Sequence, residues 1–142
     1  MKLTQDNTVV YTDSSAGVTA DQLDGGFFQG WPHPPTAATH LRILQQSDAV
    51  QLARREDGMI VGFITAITDG VSCAYVPHLE VLPAYQGKGV GSELLRRMLE
   101  RLQHLYMIDL LCDQNLQPFY ARLGMRPATG MLIRNYHRQA CD

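Results

Sequence analysis

The six residues Gln86-Gly87-Lys88-Gly89-Val90-Gly91 set three alternating glycines at the mouth of an amphipathic stretch. They follow the apolar run Leu79-Glu80-Val81-Leu82-Pro83, so a strand ends, the chain turns and a helix starts on glycines. The first N–H groups of a helix have no partner inside it and lie at the positive end of its dipole. Glycine at 87, 89 and 91 removes the Cβ atoms that would hold a ligand away from those groups, and Lys88 adds a positive charge. This combination predicts an anion site suited to a phosphate or pyrophosphate. The plain alternative is a glycine-rich turn that only joins strand to helix.

Spacing narrows the phosphate ligand. A P-loop requires Gly-x4-Gly-Lys-Ser/Thr, but Lys88 is followed by Gly89 and Leu82 stands where the first glycine belongs. A dinucleotide fingerprint requires G-x-G-x-x-G, but Ser92 occupies the last position. Asp109 does stand near that fingerprint's usual acid, yet only 51 residues follow Gly91, too few for the rest of a doubly wound sheet. Gln86-x-x-Gly89-x-Gly91 instead resembles the Q/R-x-x-G-x-G/A motif of the GCN5-related N-acetyltransferase (GNAT) superfamily. Phe119-Tyr120 followed by Leu123-Gly124-Met125 resembles that family's F-Y-x-x-x-G-F segment. The resemblance is good over residues 59–126 and weak before them.

The resemblance implies an enzyme that passes the acetyl group of acetyl-CoA, as cosubstrate, to a primary amine of a small molecule by direct attack. The pyrophosphate would rest on Gln86, Gly87, Lys88, Gly89, Val90 and Gly91, with Ser92 assisting, and the pantetheine arm would pair with the backbone of Leu79 and Val81. That pairing requires a wedge between Leu79–Leu82 and Leu110–Asp113. Tyr120 matches the family tyrosine that protonates the leaving thiolate, a transfer a phenol of pKa near 10 makes only when well positioned. The attacking amine must be neutral, so a base is needed. Glu80 faces the wedge, and Asp109 lies in an apolar run where burial would raise its pKa. His78 alternates with Glu80 on one strand face. Asn115 stands closer to Tyr120 than the family's asparagine does. Phe27, Phe28, Trp31 and His33 either wall an amine pocket or plug the core beneath their loop. Two other readings stay open: a non-catalytic acyl-CoA sensor, and an acetyltransferase of protein N-termini or lysines. The resemblance also carries the expectation of a homodimer.

These groups need elements to hold them. Thr8–Thr12, Ala49–Arg54, Met59–Ile67 and Ala74–Leu82 read as strands, with Asp57-Gly58 a hairpin signal, and so as an antiparallel meander. Thr19 caps a short helix, and Thr36–Gln46 forms another with Leu41 and Leu44 facing inward. Gly25–Pro35, with three glycines and three prolines, is a loop. Val90–Leu105 has helical apolar spacing, with Glu93 and Arg97 an i,i+4 pair. Tyr106–Cys112 reads as a parallel strand buried on both faces. Leu116–Leu123 reads as a helix stopped by Gly124, and Met131–Tyr136 as a last strand. The prediction is a single α+β domain over residues 1–142, with a GNAT-like central mixed sheet. Its antiparallel N-terminal meander leads to a parallel splayed pair, flanked by about four helices.

Composition agrees. Hydrophobic residues make up 45% of the 142, enough for one core, and the net charge of −2 offers no basic stripe for nucleic acid. No apolar run reaches the length of a membrane span, and the polar start Met1–Asn7 lacks a leader's apolar region. Three cysteines without CxxC spacing argue against disulfides and against a metal site, and for a cytoplasmic protein.

Overall fold

The computed structural model describes residues 8–142; the polar start on which the expectation of no leader rests lies outside them. Five strands form one sheet in the order β1 to β5: β1 (Val10–Thr12), β2 (Ala49–Arg54), β3 (Ile60–Thr68), β4 (Cys73–Val81) and β5 (Met107–Asp109). The first four pair antiparallel, and β4 and β5 pair parallel. The β2–β3 hairpin turns at Gly58, whose φ of 88° suits glycine alone, and the Arg55 N–H closes it on the Met59 carbonyl at 2.9 Å.

The two sheet faces are covered by different halves of the chain. On one face α2 (Val90–Arg101) lays Val90, Leu94, Leu95 and Met98 against Ala53, Val61, Ile64, Leu79 and Val81. Gly62 on β3 permits this approach, because a Cβ there would stand 3.0 Å from Leu94 Cδ1 and 3.3 Å from Val90 Cγ1. The predicted Glu93–Arg97 pair forms at 2.8 Å. On the other face Val18, Leu23, Phe28 and Leu44 cover Val50, Leu52, Ile60 and Phe63. Leu44 belongs to α1 (Ala37–Gln46), whose N-cap Thr36 accepts from the Thr39 N–H. Residues Ala20–Leu23 form a 3-10 turn, closed where the Thr19 N–H donates to Gln22 Oε1 at 2.9 Å.

Four expectations are corrected. The long helix ends at Arg101, and Leu102 and Leu105 are buried from the turn that follows. The strand read over Tyr106–Cys112 is only Met107–Asp109, and it is not buried on both faces: it is the sheet's edge, with Tyr106 90% exposed. The strand read over Met131–Tyr136 does not form; the run is irregular and off the sheet. Among the described residues, no strand pairs with the outer side of β5. The Leu116–Leu123 helix is shorter than read, α3 (Gln117–Ala121), and Gly124 follows at φ 95°. No helix among the described residues is long and apolar enough to cross a membrane.

Candidate active site

The site is made where β4 outlasts its neighbour. The parallel ladder has three pairs and ends at Tyr75 opposite Asp109, whereas β4 runs on to Val81. The break coincides with a β-bulge. Thr65 pairs with His78 and Ile67 with Tyr75, so Val76 and Pro77 together face Ala66. A bulge bends its strand and sharpens the twist, and a proline with no N–H is tolerated at such an irregularity. Past it, residues 110–113 continue from β5 without pairing, and a gap opens beside β4.

The backbone of β4 points into that gap at alternate residues. The Leu82 N–H donates to the Val61 carbonyl at 2.8 Å. In an antiparallel ladder, Glu80 and His78 therefore also turn their peptide groups toward β3, and Leu79 and Val81 turn theirs away. Consistent with this, the Val81 carbonyl accepts from Gln86 Nε2 at 2.9 Å.

The glycine turn stands at the end of this row. Gly87 and Gly89 have φ of 73° and 84°, and a Cβ on either would meet no atom within 4 Å. Gly89 is the N-cap of α2 and supplies no side-chain cap. Among the described residues, no protein group accepts from the N–H groups of residues 87 to 92; the first amide to be satisfied is Glu93, on the Gly89 carbonyl at 3.0 Å. Lys88 lies 5.7 Å from the Tyr85 ring centroid. Gln86 differs from its neighbours: its N–H bonds the Pro83 carbonyl and its side chain holds Val81, so it frames the turn. The open turn, with glycine at alternate positions and six unclaimed donors, fits a pyrophosphate.

Tyr120 reaches the same place through α3. Phe119 Cζ lies 3.5 Å from where a Gly91 Cβ would stand, which seats α3 on the first turn of α2. Tyr120 meets Phe119 edge to face at 4.9 Å. Burial, and then the neighbouring Cys112, hold its phenol above the ordinary value. Cys112 follows β5, so Tyr120 borders the far wall of the gap.

The candidate bases separate. Glu80 is half-buried, and burial raises its carboxyl above the usual carboxylate range, partly offset by the Phe28 N–H donating to Oε1 at 2.7 Å. Asp109 is exposed on the edge strand, so the burial that recommended it is absent. His78 stands on the Glu80 face of β4 beside Phe28, Trp31 and Phe63, and burial lowers its pKa.

The aromatic loop divides too. Phe28, 3% exposed, and Phe27 pack into the core, whereas Trp31 and His33 stay exposed. Phe28 has φ 63°, a left-handed conformation unusual for a bulky residue, with its N–H held by Glu80. Sequence reasoning missed this bond, the Pro77 bulge and His40. His40 is 1% exposed, 4.3 Å from the Phe63 centroid, and neither ring nitrogen has a protein partner. Burial, then His78, lowers its pKa to about 4. It lines a cavity of about 70 Å³ with Asp24, Phe27, Phe28, Pro35 and Thr36. A proline inside an apolar strand was a readable signal for the bulge; nothing in the sequence marked His40.

Comparisons with known proteins agree with this geometry. Residues 19–125 match the acetyltransferase (GNAT) family. A crystal structure of a candidate acetyltransferase from Deinococcus radiodurans R1 superposes with TM-score 0.90 at 46% identity, covering 93% of this chain and 92% of that one. A GNAT family acetyltransferase from Streptococcus pneumoniae TIGR4 gives TM-score 0.73 at 26% identity over 90% and 98% of the two chains. The chloroplastic GCN5-related N-acetyltransferase 1 of Arabidopsis thaliana is 31% identical over 115 residues, 78% of this chain and 58% of that protein. This chain thus spans little more than half of that relative, and 39% of another from Gibberella zeae.

Proposed function

The chain belongs to the GNAT family of acetyltransferases, and from that premise we propose that it transfers the acetyl group of acetyl-CoA to the primary amine of a small molecule by direct attack. One observation carries the reading: the unclaimed amides of residues 87 to 92 continue the row that Leu79 and Val81 turn into the gap beside β4. Gly87 to Ser92 hold the pyrophosphate, Leu79 and Val81 hold the pantetheine arm, and Gln86 keeps the turn closed.

Acetyl-CoA supplies a thioester whose acyl carbon is open to a neutral amine. Glu80, its affinity for a proton raised by burial, takes the proton from the incoming amine. Tyr120, kept protonated by its raised pKa, gives one to the departing sulfur. Phe27 and Phe28 pack into the core beneath their loop, and the exposed Trp31 beside His78 is left as the loop aromatic able to face a compact acceptor.

The test is thiol release from acetyl-CoA across a panel of small amines and peptides. We expect turnover on a small amine, with Tyr120→Phe lowering kcat by about 10²-fold while leaving coenzyme binding intact. Coenzyme binding with no thiol release on any acceptor would make the chain a sensor, and turnover on peptides alone would move the acceptor to proteins.

A further inference from the structure

The end of α2 away from the glycine turn borders a second recess, a cleft of about 690 Å³ between α2 and the first two strands. Its size falls in the range of small-molecule sites. Gln51, only 5% exposed, forms its floor. On β2 this residue lies opposite Ile64, so its side chain points to the α2 face, where the sheet is otherwise apolar. Among the described residues no group bonds its carboxamide. A buried amide without a partner costs free energy, and this one opens onto the cleft.

The walls carry unclaimed groups of both signs. Tyr11, opposite Ala53 and so on the same face, lies under the Arg97 guanidinium, 4.7 Å from ring centroid to Cζ. Burial, then Glu93, holds its phenol above the ordinary value, so it stays a neutral O–H. Arg97 gives Nε to Glu93 at 2.8 Å, and Arg101 gives Nη1 to the Asp13 carbonyl at 3.3 Å. The other nitrogens of both guanidinium groups are unclaimed among the described residues, and positions 97 and 101 share one helix face. Carboxylates stand beside them. Glu100 accepts from Arg96 on Oε2 at 3.0 Å and keeps Oε1 open, and Asp13 pairs with no cation among the described residues. Glu100 also lies in the last turn of α2, at the negative end of the helix dipole, which favours a cation.

An anion alone would meet the two carboxylates, and a cation alone the two guanidinium groups. A zwitterion matches both. We propose that this cleft binds a free α-amino acid, its carboxylate on Arg97, Arg101 and the Gln51 amide N–H groups and its ammonium on Glu100 and Asp13. The site is separate from the acetyl-transfer gap: the glycine turn stands at the start of α2 and the cleft at its end, along a helix of 12 residues and about 18 Å.

Calorimetry on the whole chain without acetyl-CoA tests this apart from any acetyl transfer. The probes are the common α-amino acids, each compared with the amine that lacks the carboxylate and the acid that lacks the ammonium. At least one amino acid should bind with a Kd below about 1 mM, and both of its truncated analogues should bind at least about tenfold more weakly. Gln51→Met and Arg101→Met should each raise that Kd by at least about tenfold. Gln51→Met should unfold in urea no earlier than the wild type, since it removes an unpaired buried amide, and the exposed Arg101 gives a second variant that leaves the core untouched. No binding by any amino acid, equal binding by an analogue carrying one charge, or an affinity unmoved by Arg101→Met would each overturn the proposal.

Discussion

Glu80 shows how one side chain links the two halves of the molecule. It projects from β4 on the face opposite α2, and its Oε1 receives the N–H of Phe28, a residue in the left-handed region. The carboxylate thereby fixes the loop that packs over Phe63, and burial in turn raises the carboxylate's pKa. In the proposed mechanism Glu80 acts deprotonated, so the acidic limb of kcat/KM should lie above the ordinary glutamate value of 4.5. Glu80→Gln should abolish that limb and lower kcat by about 10²-fold or more, as a pH–rate profile would reveal. His40 predicts a stability effect. Its folded pKa of about 4 lies below the unfolded 6.5, so the unfolded chain binds the proton first as pH falls. Stability is full above pH 6.5 and declines toward pH 4 by about 3 kcal/mol, levelling off below. Urea titrations across that window should show the loss, and His40→Leu should flatten it. Tyr120 was legible only through the family resemblance, and Glu80 through its place on the strand before the glycine turn. The burial expected of Asp109 fails because an apolar run need not be a buried one, and His40 acquires its character only from rings far away in sequence.

The glycine turn works as an element because its backbone, not its side chains, meets the ligand. Gly89 begins α2 at φ 84°, with open space where a Cβ would point. Gly89→Ala should lower stability by about 1 kcal/mol through the left-handed strain, and also raise the coenzyme Kd at least about tenfold by filling the cradle. Gly70 supplies the control: it has φ 75° and equally open surroundings, but lies in the β3–β4 turn away from the site. Gly70→Ala should show the same stability loss in urea titration with coenzyme affinity unchanged in calorimetry. The helix was legible from Leu94, Leu95 and Met98 at helical spacing, and the turn from its glycines. The splay of β4 from β5 was expected only through the family resemblance. Its local cause, the bulge at Val76–Pro77, was written in the sequence and went unread, because Pro77 interrupts a run otherwise apolar enough to pass as a regular strand.

At the scale of the molecule, the fold puts all its chemistry at one end of a sheet whose two faces are sealed by different halves of the chain. The mixed sheet and its strand order follow from short turns early and a helical crossover later, which is why they were readable. The C-terminal run was not, since β-propensity marks a segment able to pair and cannot name its partner. What the whole arrangement amounts to is a preformed, uncapped ladder of donors, and occupancy of that ladder should stabilise the entire domain. Thermal unfolding with acetyl-CoA at about 100 times its Kd should therefore add roughly 2.7 kcal/mol. NAD and ATP, tested alongside at the same concentration, should leave the melting temperature where it was. A melting temperature indifferent to acetyl-CoA, or raised as much by ATP, would contradict the assignment of residues 87 to 92 as the coenzyme's pyrophosphate cradle.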